Sequence, residues 1–277
     1  MFRGFYTAAS GMITQQRRTE ILTNNLSNMT TPGYKGDESS IRAFPEMLIQ
    51  QMNSEQVSPT KSLSLPYLTN VGPLNTGAYI QDVTPNFRQG DIQETGFATD
   101  FALRDVNMPQ SEEGVSSTIF FTLENPDGGV RYTRNGNFTL DEAGYLTNGS
   151  GWYVLDQDGN RIFLGDDSFT LREDGWIEQN GQAVSRLGVG FSENPFNLQK
   201  VGEGYYETED GQPLPSVYDT DDAYFSVVQG SLEQSNVDAA ETMTQLLSSY
   251  RTFEANQKVL QAYDESMDKA VNEIGKI

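Results

Sequence analysis

The chain of 277 residues contains no cysteine and no histidine. The first absence excludes disulfides, thiolate metal sites and thiol nucleophiles. The second removes the commonest general base, the Ser-His-Asp triad and the usual zinc sites. Basic residues are scarce, with 18 Lys and Arg against 39 Asp and Glu, a net charge of −21. That balance argues against nucleic acid and anionic membranes as partners. No run approaches the roughly 18 continuous apolar residues of a membrane span. Residues 1–10 lack the apolar core of a signal peptide. The expectation is a protein that stays in the cytosol or leaves by a route that reads no cleavable signal. Composition leaves only carboxylate, Lys or Tyr chemistry open to such a chain.

The charge is unevenly spread. Residues 1–36 carry four basic and one acidic side chain, and residues 238–277 carry four basic and seven acidic. The middle therefore holds ten basic and thirty-one acidic residues. Two nearly neutral ends suited to association flank an acidic, soluble centre.

The last forty residues, 238–277, form a nearly strict heptad. Ala239, Met243, Leu246, Tyr250, Phe253, Gln257, Leu260, Asp264, Met267, Val271 and Ile274 are spaced alternately by four and three. Such a helix carries one face made for another helix, in this chain or in another copy. At about 1.5 Å per residue it is about 60 Å long, more than a small domain's diameter. Gln257 and Asp264 interrupt the seam, as polar residues do where register matters more than stability. These features favour an assembly protein.

The N-terminal segment also reads as a helix, with Phe2, Phe5, Ala9, Met12 and Ile13, then Ile21, Leu22 and Leu26, at helical spacing. It should stop near Asn28, because Pro32-Gly33 forbids continuation. Residues 35–77, with Pro45, Pro59, Pro66 and Pro73, read as an irregular connector. Residues 78–228 turn to β texture. Strand-like runs lie at 118–123, 130–133, 137–140, 151–155, 169–172, 176–178 and 224–228. Between them sit Asp127-Gly128, Asn135-Gly136, Asp158-Gly159, Asp174-Gly175, Asn180-Gly181 and Asp210-Gly211. Such dipeptides supply type I′ turns, so an antiparallel meander is expected. The domains are then 1–34, 35–77, 78–228 and 229–277. The fold class is a mainly β, hairpin-rich central domain flanked by helices that pair as a coiled-coil-like assembly region.

Three polar signals have plain alternatives. Asp156-Gln-Asp-Gly-Asn160 resembles the start of a calcium loop, but Arg161 stands where glycine is needed and Asp167 closes it. A hairpin turn explains it better. Acidic clusters at Glu112-Glu113, Asp166-Asp167 and 219–222 suit solvated turns, although a cleft pair could hydrolyse a glycoside. Asn24 and Asn25 stand beside the apolar stripe and could bond a neighbouring helix, whereas Asn28 to Gly33 suits a cap and turn.

Several motifs together carry a resemblance. Ala8-Ala-Ser-Gly-Met-Ile-Thr-Gln-Gln16, Leu22-Thr-Asn-Asn-Leu-Ser-Asn28 and Thr31-Pro-Gly-Tyr-Lys35 resemble the N-terminal signature of bacterial flagellar rod and hook proteins. Gly230-Ser-Leu-Glu-Gln-Ser-Asn-Val-Asp238 and Tyr250-Arg-Thr-Phe-Glu-Ala-Asn256 resemble the C-terminal one. Residues 132–146, 90–96 and 100–103 are similar to the family's central motifs. The chain departs where residues 104–117 intervene before the Ile119-Phe-Phe121 strand, and where Thr23 and Ser27 replace small apolar residues.

The resemblance implies a subunit of the flagellar basal-body rod, exported without a cleavable signal, that builds a hollow torque-bearing shaft; it implies no enzyme, cofactor, metal or small-molecule substrate. Its implied partners are itself, other axial proteins of rod and hook, and the flagellar export apparatus. Its implied interface comprises Leu22, Asn24, Asn25, Leu26, Asn28, Pro32 and Gly33 with Met243, Leu246, Tyr250, Phe253, Asn256, Leu260, Met267 and Val271. A hook-type axial protein is the nearest alternative. A wall hydrolase, or a surface adhesin or carbohydrate-binding module, would leave both terminal motifs unexplained.

Overall fold

The computed structural model describes residues 2–45, 47–56, 64–111, 114–126, 128–166, 168–202, 204–220 and 222–274. Glu112, Glu113, Asp127, Asp167 and Asp221, which figured in the turn and acidic readings, lie outside them, as do residues 57–63 of the expected connector. The chain divides into two compact units that do not follow its linear order. One comprises Met1–Asn24, Glu38–Val83 and Ala240–Ile277, the other Asn25–Asp37 and Thr84–Ala239.

In the first unit, helix α1 spans Phe2–Ser27. Thr19 and Thr23 donate their hydroxyls to carbonyls four residues back, which satisfies them within the helix. Strands β1 (Asp37–Ala43), β2 (Met47–Gln56), β3 (Ser64–Leu74) and β4 (Ala78–Pro85) follow. This corrects the expected irregular connector. β2 and β3 form an antiparallel ribbon, and β1 pairs with β4. Pro66 and Pro73 misled because proline is rare in central strands. A two-stranded ribbon leaves one edge of each strand open, where a missing N–H is tolerated. Ser10 and Thr14 fasten α1 to β4: Thr14 Oγ1 donates to the Ala78 carbonyl at 2.8 Å, and Ser10 Oγ accepts from the Ala78 amide at 3.3 Å.

The second unit is mainly β, with short 3-10 turns at Pro195–Asn197 and Val217–Asp219. Its strands are β5 (Ile92–Glu94), β6 (Phe101–Asn107), β7 (Thr118–Glu124), β8 (Val130–Thr133), β9 (Phe138–Leu140), β10 (Leu146–Asn148), β11 (Phe169–Leu171), β12 (Trp176–Gln179), β13 (Gln182–Arg186), β14 (Val189–Ser192), β15 (Leu198–Gly202), β16 (Tyr205–Thr208), β17 (Tyr224–Gln229) and β18 (Ser231–Glu233). All pair antiparallel, with a five-stranded sheet ordered β14-β7-β8-β16-β15. A simple meander is not what forms. β6 pairs with β17 and β5 with β18, so the start of the unit closes on its end. Turn dipeptides encode only neighbouring pairs; remote pairing is set by which faces are apolar. The core gathers Phe101, Leu103, Ile119, Phe121, Leu123 and Val154, each fully buried. Each such side chain contributes about 1.5–3 kcal/mol relative to an exposed one.

The turns are of a different kind from those expected. Among the described residues only Asn180-Gly181, at φ 55° and 76°, has two positive φ values in succession with a non-glycine first, as type I′ requires. Elsewhere a three-residue loop recurs. Asn125, Asp141, Asn148, Asp156 and Arg172 each accept from the glycine three residues on. Those glycines, 128, 144, 151, 159 and 175, all have positive φ. Asn135-Gly136 is no hairpin turn: a Cβ on Gly136 would strike the Phe101 carbonyl.

Helix α2 spans Ala239–Lys269 in the first unit and ends in a π-helical turn, Ala270–Ile274. Glu241 in its first turn and Lys269 in its last oppose the helix dipole favourably.

Candidate functional site

The buried positions of α1 and α2 define where the helices face each other. On α2 the less exposed residues are Thr242, Gln245, Leu246, Ser249, Phe253, Asn256, Leu260, Tyr263 and Met267, a four-three alternation apart from Gln245. On α1 the matching series is Gly4, Ala8, Gly11, Gln15, Arg18 and Leu22. The close approaches run antiparallel. A Cβ on Gly4 would stand 2.8 Å from Cζ of Tyr263, and one on Gly11 would stand 2.9 Å from Nδ2 of Asn256. Each glycine makes the space that a large α2 side chain fills.

The expected seam divides between two faces of α2. Leu246, Phe253, Leu260 and Met267 are half-buried, but Met243, Tyr250, Gln257, Asp264 and Val271 are exposed. The second inward column is polar or small: Thr242, Ser249, Asn256, Tyr263. Met243 is 55% exposed, Leu247 53% and Tyr250 51%. They lie together on a second, outward face.

In the other unit the signature segments meet in a buried charge network. Lys35 Nζ donates to Glu233 Oε1 at 2.7 Å and to the Arg88 carbonyl at 2.8 Å. Arg134 Nε donates to Glu233 Oε2 at 2.8 Å, and its Nη1 donates to Asp105 Oδ1 at 3.1 Å and the Ile119 carbonyl at 2.9 Å. The Gly90 amide completes the shell of Glu233. Burial pushes Lys35 down to about 8; Arg134 adds to this and Glu233 opposes it. Burial would raise Glu233, yet Arg134 and Lys35 together hold it below the ordinary carboxylate range. Burial likewise works against the Arg134 charge, and Glu233 and Asp105 outweigh it, so its pKa is raised. Asp105 belongs to the 104–117 stretch, so that departure from the motif supplies one member of the network.

Backbone bonds tie the same segments. The Gly33 amide donates to the Glu233 carbonyl at 2.7 Å. Gly33 has φ 68°, and a Cβ there would strike the Arg134–Asn135 backbone. Within the chain Asn25 ties the end of α1 to the segment that follows it. Its Oδ1 accepts from the Asp37 amide and Tyr34 hydroxyl, and its Nδ2 donates to the Asp37 carbonyl. Asn236 mirrors it, accepting from the Gly36 amide and donating to the Asn86 and Arg88 carbonyls. The Asp156 carboxylate is occupied by the amides of Asp158 and Asn160, a hairpin-turn role. Among the described residues no cluster of three acids could hold a metal.

These joined segments coincide with family matches. The flagella basal body rod protein family matches residues 5–35. The flagellar hook protein FlgE/F/G D1 domain matches residues 115–182, and the flagellar basal body rod FlgEFG protein C-terminal family matches residues 228–273. The flagellar hook-basal body complex protein FlhO of Bacillus subtilis is 42% identical over 278 residues, covering all of both chains. The flagellar basal-body rod protein FlgG of Borreliella burgdorferi is 31% identical, covering 98% of each. The flagellar basal-body rod protein FlgF of Caulobacter vibrioides is 28% identical over the whole of both chains. The chain belongs to the flagellar basal-body rod protein family. Its role is structural and non-enzymatic.

Among the residues expected at the rod protein's interface, Leu22, Asn25 and Gly33 are buried, Leu26, Asn28 and Pro32 half-buried and Asn24 exposed. Asn256 faces Gly11. The reading from sequence missed Lys35, Arg134 and Glu233, although each sits inside a quoted motif. A single charge in an otherwise uncharged stretch, as Glu233 is between Asp222 and Asp238, was the available signal.

Proposed function

We propose that this rod-family protein is a self-assembling subunit of a hollow helical shaft that carries torque from motor to hook. Its α1 and α2 pair in the manner of a coiled coil and form the assembly region, and neighbouring rod and hook subunits are its partners. One observation carries the reading: α2 satisfies one face against α1 and still presents Met243, Leu247 and Tyr250 to solvent. An apolar stripe on an already paired helix calls for a further helix, and surfaces that do not close on themselves make a filament.

Passage through the flagellar export apparatus belongs to the same proposal. A chain with no cysteine has no cross-link to resist unfolding. Deleting the gene and examining cells by electron microscopy and swimming tests the proposal. The expected outcome is non-motile cells without hooks or filaments, restored by the full chain and not by one lacking residues 238–277. Normal flagella in the deletion strain would refute it.

A further inference from the structure

Both helices of the first unit carry an outward face about 100° wide. On α1 it holds Arg3, Tyr6, Ile13, Arg17 and Glu20, all exposed. On α2 it holds Met243, Leu247, Tyr250, Arg251, Glu254 and Asp268, also exposed. Arg3, Arg17, Arg251 and Glu254 make no ion pair among the described residues. Their spacing is matched. From Arg3 to Arg17 is fourteen residues and on to Glu20 three; from Asp268 back to Glu254 is fourteen and on to Arg251 three. Read in opposite directions, the charges are complementary at all three positions.

We infer that α1 of one copy lies antiparallel along the outward face of α2 of a second copy, with Arg3 against Asp268, Arg17 against Glu254 and Glu20 against Arg251. This rests on the assembly reading above and names the contact. Exposed ion pairs add little affinity, about 0–1 kcal/mol each. They set orientation and register and reject wrong pairings. In this register Tyr250 lies level with Ile21, Leu247 with Asn24 and Ile13 with Lys258, so the partner helix covers their apolar surface and supplies the attraction. The two faces are different surfaces, so the contact is heterologous and propagates.

The test places full-length variants in cells lacking the native gene and measures the chain in isolated basal bodies. Arg17→Glu and Glu254→Arg, each alone, set like charges together and should lower incorporation about tenfold or more, the equivalent of 1.4 kcal/mol. The combined variant restores opposite charges and should return to within about twofold of wild type. Single variants that incorporate normally, or a combined variant no better than either single one, would overturn the pairing. Leu247→Asp separates the two proposals. If it blocks incorporation while the charge variants are silent, only the register fails; if it incorporates normally, the assembly reading fails with it.

Discussion

Lys35 Nζ donates to Glu233 Oε1 over 2.7 Å, and neither side chain exposes more than 1% of its surface. The two residues come from opposite ends of the sequence, so the contact closes the β unit on itself. Glu233→Ala would leave Lys35 and Arg134 as buried cations without their shared carboxylate. Breaking a buried pair in this way costs about 3–5 kcal/mol. Urea unfolding of the full chain should show that loss, and a change under about 1 kcal/mol would mean that water reaches the site.

The same network predicts a pH dependence on both sides of neutrality. Glu233 is held below its unfolded value. Its contribution is complete above the unfolded carboxylate pKa and is lost as pH falls through the folded one. Lys35 is pushed down to about 8 from 10.5. Between those values the unfolded chain holds a proton that the folded chain has released, so this group makes stability rise with pH. Lys35→Met should remove that rise. The observable is the difference in urea midpoint between wild type and variant across pH 8 to 10.5; a constant difference would contradict the assignment.

The fold was legible where chemistry repeats locally. Leu246, Phe253, Leu260 and Met267 could be read as one column of the helix pair because they are apolar. The other column could not, because Thr242, Ser249, Asn256 and Tyr263 are polar or small, while apolar Met243, Tyr250 and Val271, each one residue from an inward position, lie on the exposed face. Hairpins such as Asn180-Gly181 were visible for the same local reason. The pairing of β6 with β17, and the meeting of Lys35 with Glu233, depend on long-range closure that no short window encodes. Pro66 and Pro73 hid the β2–β3 ribbon because proline signals a break and an open edge alike.

Gly11 predicts a conflict between propensity and packing. In an isolated helix Gly→Ala stabilises by about 1 kcal/mol. Here a Cβ would stand 2.9 Å from Asn256 Nδ2. Overpacking costs about 1–3 kcal/mol, so packing should win or at least cancel the gain. Gly11→Val, larger and β-branched, should separate the helices outright. Helical circular dichroism with limited proteolysis near residues 2–27 reads this. Asn256→Ala added to Gly11→Ala should recover the propensity gain, and no recovery would place the contact elsewhere.

The two faces of α2 predict two different failures. Leu246 and Phe253 face inward, so Leu246→Asp or Phe253→Asp places a charge in the helix pair, where it has no partner. Both should open the pair in the isolated protein and abolish incorporation into the rod. Tyr250 is 51% exposed, so Tyr250→Asp should leave the isolated protein's helicity and thermal unfolding unchanged. Its loss should show only in assembly, as reduced incorporation and swimming. Thermal unfolding of the purified chains beside a swimming assay distinguishes the cases. Normal motility with Leu246→Asp would deny the inward seam. An unfolded Tyr250→Asp protein would show that the outward face is used within the chain.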